Sequence, residues 1–194
     1  MKNKTDSKEK ILAVAASLFQ IKGYNATGLN EILKESGSPK GSLYYYFPNG
    51  KEELALEAIR LASNSIQMRI QTTLNQYSNP IEGIQSVIKN MTEDLKRDNK
   101  FKDMSISLIA LETYLSSESL REACKEAFID LQNLYSKKLI QSGLSNEIAL
   151  ELGTLIQVMI EGAITVSVTE KNATALLTVN KQVGILLNSY LNIK

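Results

Sequence analysis

The sequence predicts an all-α fold in two parts, a three-helix head over residues 1–50 and a larger helical body over 51–194. Three observations carry that prediction. Apolar residues recur three and four apart along nearly the whole chain, the spacing of one helical face. No stretch alternates convincingly as a strand does, and no internal repeat or low-complexity segment appears. Between Thr27 and Lys51 two short apolar-faced pieces flank Gly37, and a long periodic stretch begins just after Pro48-Asn49-Gly50.

Each element has its own signal. A capping box from Asp6 to Glu9 opens the first helix, which buries Ile11, Leu12, Ala15, Leu18 and Phe19 and stops near Gly23. The second, about 28–35, keeps Leu29, Ile32 and Leu33 on one face. After the glycine turn, Ser38 reads as an N-cap and Pro39 as the first helical residue, where a missing N–H costs nothing. Leu43 and Phe47, four apart, pack the third helix, about 39–46, back onto the first two. Pro48 and Gly50 break the chain before a helix of about 51–77, with Leu54, Ala58, Leu61 and Ala62 inward. At 1.5 Å per residue that helix is about 40 Å long, enough to run from head to body. Asn79-Pro80, Arg97-Asp98-Asn99, Ser116-Ser117, Ser142-Gly143 and Lys171-Asn172 then separate helices of about 81–98, 101–115, 118–141, 146–169 and 173–192. The run Ile164–Thr169 alternates somewhat, but its apolar surroundings favour a buried helix.

Once Leu43 and Phe47 face inward, the third helix presents Lys40, Ser42, Tyr44 and Tyr45 outward, donors suited to phosphates and base edges. Two short helices about a tight turn have the shape of a helix-turn-helix, here spanning about 28–47. The segment TGLNEILKESGSPKGSLYYYFPNGK resembles the signature of the TetR family of bacterial transcriptional regulators, with Thr27, Ile32, Gly37, Gly41, Leu43, Tyr44 and Phe47 in register. The wording PKGSLYYYFPNGKEEL is more similar to the LmrA/YxaF-like branch, whose repressors serve multidrug and flavonoid-responsive genes. Three departures stand out: Ser38-Pro39 in place of Val-Ser, Tyr46 where His is frequent, and one extra residue before Lys51.

The resemblance implies a ligand-responsive regulator, a repressor bound as a homodimer to a double-stranded, palindromic DNA operator. Ser38 and Pro39 would open the recognition helix, with Lys40 and Ser42 facing base edges. Thr27, Tyr44, Tyr45 and Lys51 would hold phosphates, and Gly41 would keep the helix surface low enough to enter the groove. For Tyr44 to Tyr46, packing is the rival reading, and Tyr46 is expected to pack.

Charge is divided to match. The chain carries a net +1, yet residues 1–51 hold eight lysines against four acidic residues, and the remainder holds fourteen basic against seventeen acidic. A basic head on a mildly acidic body places positive potential where phosphates would lie. Enzyme classes fare badly. With no histidine in the chain, His-dependent triads and His-metal sites are excluded, and no phosphate-binding loop precedes Gly50-Lys51. Neither a metal nor a cofactor is expected. The single cysteine, Cys124, reads as a small core residue, the alternative being a redox sensor, and its solitude fits a reducing cytoplasm. No apolar run approaches a bilayer span, and MKNKTDSKEK lacks the apolar region of a signal peptide, so no membrane association is expected.

The body offers two further expectations. Its last two helices are rich in small and apolar residues, and pairing with a second copy would place Gly162, Val166, Val183 and Leu187 in a four-helix interface; the alternative is a monomer core. A pocket for a hydrophobic or aromatic effector is expected among Met91, Met104, Leu108, Tyr114, Phe128 and Met159, polarizable, apolar or aromatic side chains on several body helices, with helices of about 101–115 and 146–169 favoured and Met104, Leu108, Phe128 and Met159 as its lining. Glu112 and Glu161 lie on apolar stretches, positioned either to balance a cationic ligand or to make internal polar contacts. A helical adaptor that binds another protein, without effector response, is the competing function.

Overall fold

A computed structural model describes residues 4–98 and 104–191, with side chains from Ser7 onward. Among the described residues there are nine helices and no strand: α1 (Lys4–Ala26), α2 (Leu29–Ser36), α3 (Lys40–Tyr46), α4 (Lys51–Asn75), α5 (Pro80–Asp98), α6 (Ile106–Thr113), α7 (Glu118–Gln141), α8 (Asn146–Glu170) and α9 (Thr174–Leu191). α1 is already helical from Lys4, so the chain enters the helix before the expected capping box and Asp6 is not its N-cap; the Asp6 side chain lies outside the described residues. Gly23 does break α1: its φ of 82° and ψ of 169° are non-helical, although one further turn follows before Thr27. Ile164–Thr169 is helical throughout.

The sixth helix is shorter than the expected 101–115. Ser105 is its N-cap, accepting the Leu108 N–H at 3.2 Å, and Thr113 O ends it by taking the N–H groups of Ser116 and Ser117. Hydroxyl and turn bonds replace the ladder at both ends, a local competition that apolar periodicity does not register.

The chain divides into two compact units, residues 1–65 with 103–127, and 66–102 with 128–194. This differs from a division at residue 50, because the first turns of α4, all of α6 and the start of α7 belong with the head. The first unit closes over Ile11, Phe19, Ile32, Leu43, Phe47 and Leu54, all fully buried. Cys124 lies in the same unit at 1 % exposure, as a core residue; burial pushes its thiol up to about 11, away from the reactive thiolate.

The second unit packs α9 against α5 and α8 around Ile84, Ile88, Leu152, Ile156, Leu176 and Val183. One sequence expectation is corrected here. α8 is long and apolar enough to cross a membrane by length and composition alone. Gln157 and Glu161 interrupt its apolar run, so no unbroken apolar stretch marks it in the sequence, and they hydrogen-bond each other at 2.8 Å. Its inward face, from Ala149 through Ile160, belongs to the core of the unit.

Candidate nucleic-acid interface

The turn between α2 and α3 is set by one glycine. Gly37 has φ 61° and ψ 24°, the left-handed conformation that a residue without Cβ adopts at no steric cost. Its N–H donates to Lys34 O at 3.4 Å, and the Ser38 N–H donates to Leu33 O at 3.2 Å. These are the two reversed bonds of a Schellman cap. The start of α3 corrects the sequence reading: Pro39, not Ser38, is the N-cap, extended at φ −68° and ψ 148°. Ser38 is committed to closing α2, with its hydroxyl 3.5 Å from Ser36 O, whereas Pro39 O accepts from Ser42 N–H at 2.9 Å and Leu43 N–H at 3.4 Å. Proline suits that position because the N-cap N–H lies outside the helical ladder.

α3 has only seven residues, so packing rather than propensity holds it. Leu43 and Phe47 are wholly buried, and α3 docks on α1. The Phe47 N–H donates to Leu43 O at 2.7 Å, and the Lys8 ammonium lies 5.8 Å from the Phe47 ring centroid. On the opposite side Pro39, Lys40, Gly41, Tyr44 and Tyr45 are exposed and Ser42 is half-buried. The Lys40 ammonium hovers 5.8 Å from the Tyr44 ring. A Cβ at Gly41 would meet nothing within 4 Å, so packing inside the molecule gives no reason for glycine there. Tyr46 is half-buried, edge-on to Tyr45 with ring centroids 4.9 Å apart.

Thr27 departs from the expected set. It is 1 % exposed, and its hydroxyl donates to Gly23 O at 2.7 Å. Thr27 therefore closes the α1–α2 connection instead of offering its hydroxyl to a phosphate.

Lys51, the first residue of α4, leans back over this connection, with Nζ 3.4 Å from Asn25 O and 4.4 Å from the Tyr24 ring centroid. Burial lowers its pKa, with the Glu112 carboxylate opposing that shift. Glu112 makes the internal contact left open from sequence: its carboxylate accepts from the Tyr24 N–H and, at 3.0 Å, from the Asn25 N–H. Tyr24 and Asn25 went unnoticed in the sequence, because their partner lies 88 and 87 residues away and no local motif announces it.

The other expected sites fare unevenly. Met104, buried, and Leu108, half-buried, belong to the first unit; Phe128 and Met159, both half-buried, belong to the second. A cleft of about 470 Å³ between α4 and α5 is lined by Ile66, Met68, Arg69, Val87, Met91 and Asp94, among others; of the pocket candidates Met91 lines it, and Met104, Leu108, Phe128 and Met159 do not. Of the expected dimer residues, Gly162 and Val166 are exposed on α8, but Val183 and Leu187 are fully buried. Both point into the core of their own chain, because α9 turns that face toward α5 and α8. Besides Val166, the exposed apolar residues of these helices include Leu155, Val158, Leu177 and Ile185.

Residues 11–58 match the family described as bacterial regulatory proteins, tetR family, and residues 80–182 match the transcriptional regulator LmrA/YxaF-like C-terminal domain. The chain is 45 % identical over 187 residues to the HTH-type regulator YxaF of Bacillus subtilis, covering 96 % of this chain and 98 % of that protein. The chain belongs to the TetR family of transcriptional regulators. The regulator is also 45 % identical to B. subtilis LmrA over 182 residues, 94 % of this chain and 97 % of LmrA. A TetR regulator from Legionella pneumophila shares its fold with a TM-score of 0.77 and 26 % identity, over 91 % of this chain and 94 % of that one. The regulator therefore binds DNA through a helix-turn-helix and is not an enzyme.

Proposed function

We propose that this TetR-family regulator is a homodimeric repressor, held on a palindromic double-stranded operator by its α3 helices and released by a hydrophobic or aromatic small molecule. The observation that carries the reading is the division of α3 into two faces: Leu43 is fully buried, while Lys40, Gly41, Tyr44 and Tyr45 are exposed. Lys40 and Ser42 reach base edges; Tyr44, Tyr45 and Lys51 hold phosphates on either side. Ser38 and Pro39 set the approach of the helix, and Gly41 lets its backbone near the groove. Thr27 contributes through the turn it closes.

Residues 1–50, with Lys51 beside them, read DNA, and the remainder of 51–194 carries dimerisation and effector response. The exposed apolar stripe of Leu155, Val158, Gly162 and Val166 on α8, with Leu177 and Ile185 on α9, supports pairing with a second copy. Two heads related by a dyad then read the two halves of a palindrome. The target places the regulator in the cytoplasm. The test is sequencing of genomic fragments selected by the purified protein: a palindrome beside a promoter that becomes active on deletion of the regulator is expected. Recovery of fragments without a common half-site would sink the proposal and favour a protein-binding adaptor.

A further inference from the structure

We infer that Glu112 is a positioning residue for operator recognition: from α6 it clamps the Gly23–Asn25 turn and thereby sets where the α2–α3 reading pair stands. Four observations within the first compact unit converge on that carboxylate. Gly23 leaves the helical region, and the Tyr24 and Asn25 N–H groups that follow act as the donors of a new helical turn. A single oxygen of Glu112, Oε2, takes both, and the Asn25 side-chain amide donates back to the Glu112 backbone carbonyl at 3.3 Å. A Cβ built on Gly23 would collide with the other carboxylate oxygen, so glycine there admits the carboxylate as well as the backbone angle. At the same turn, Lys51 places its ammonium over the Tyr24 ring and beside Asn25 O, within the field of the Glu112 carboxylate.

The consequence is mechanical. The turn leads through Thr27 directly into α2, and α2 carries α3 through the Gly37 cap. It is held by α6 and by the first residue of α4. A displacement of α6 must either break two charge-assisted hydrogen bonds or carry the turn, and hence the reading pair, with it. Glu112 is the side chain through which α6 holds that turn.

The inference rests on the operator reading above, and the experiment keeps the two apart. Full-length wild type, Glu112→Ala and Glu112→Gln are titrated on the operator that wild type selects, on that operator with one base pair inserted between half-sites, and on random DNA. Glu112→Ala should lose about tenfold or more on the operator, the scale of a lost charged hydrogen bond, with random-DNA affinity held within about twofold. Its penalty for the inserted base pair should shrink, because an unclamped head tolerates altered spacing. Glu112→Gln, whose amide oxygen can accept both N–H groups, should recover most of the loss. Wild-type affinity and spacing penalty in Glu112→Ala would overturn the inference, as would equal losses on operator and random DNA. If Glu112→Ala does not fold, Asn25→Ala, which removes only the returning bond, is read by the same criteria. Failure of wild type to select a palindrome refutes the operator reading instead.

Discussion

Lys40 and Lys51 are both cations near the reading surface, yet their surroundings assign them different work. Lys40 is exposed on the outward face of α3, where a bidentate contact to a guanine edge is within the reach of its chemistry. Lys51 is half-buried against Tyr24, aimed at the connection between α1 and α2. Lys40→Ala should weaken operator binding by about 1–3 kcal/mol with little change on random DNA. On the proposed phosphate role, Lys51→Ala should weaken all sequences alike and reduce the salt dependence by about one unit of log–log slope, whereas a loss confined to the operator would assign Lys51 to holding the Tyr24–Asn25 turn alone. Binding titrations over a range of salt on both DNAs separate the two; equal losses for Lys40→Ala reassign it to the backbone. A second residue-scale prediction concerns Tyr135, which is fully buried and whose hydroxyl has no hydrogen-bond partner among the described residues. Burial also pushes its pKa upward. Removing a desolvated, unsatisfied hydroxyl while keeping the ring relieves a cost of about 1–3 kcal/mol. Tyr135→Phe should therefore raise the urea midpoint of unfolding, and an unchanged or lowered midpoint would show that the hydroxyl is satisfied in solution.

At the scale of elements, α8 presents two faces with different fates. Its inward face packs Leu152, Ile156 and Ile160 into the core, and its outward face leaves Leu155, Val158, Gly162 and Val166 exposed. A Cβ at Gly162 would meet nothing within 4 Å, so Gly162→Arg should leave the single chain folded while placing a bulky charge in the proposed seam. Light scattering should then report monomers and operator affinity should collapse; a folded mutant that stays dimeric moves the interface to another surface. The periodicity of the chain made these helices legible, α7 to the residue and most others within one or two. It also marked the core side of the reading pair, since Ile32, Leu43 and Phe47 could face only inward. What stayed hidden depended on distant partners. Val183 and Leu187 read as seam residues because apolar spacing identifies a buried face without saying whether the cover comes from the same chain. Thr27 read as a phosphate donor because its register was visible and its internal hydrogen bond to the Gly23 carbonyl was not.

For the whole molecule, release from DNA is a question of shared equilibria. A ligand that binds only the form unable to hold the operator must weaken DNA binding, and operator DNA must weaken ligand binding by the same factor. Isothermal titration of an inducing hydrophobic or aromatic compound, with and without operator present, measures both sides of that identity. Equal ligand affinity in the two DNA states would rule out coupled induction. The chain's near-neutral total charge also has a whole-molecule reading: the positive excess sits within residues 1–51 and the remainder is net negative. Attraction to phosphates is thus concentrated where the reading helix lies.

The two-faced build of α3 bears on how such regulators diverge. Its anchoring side chains, Leu43 and Phe47, are fully buried, while Lys40, Tyr44 and Tyr45 project outward. Exposed substitutions away from special backbone sites usually change stability by no more than about 0.5 kcal/mol. A duplicated gene copy can therefore acquire a new operator by exchanging a few outward side chains, without first accumulating stabilising changes elsewhere. Recognition drifts along one side of a seven-residue helix while the hydrophobic seam beneath it stays fixed.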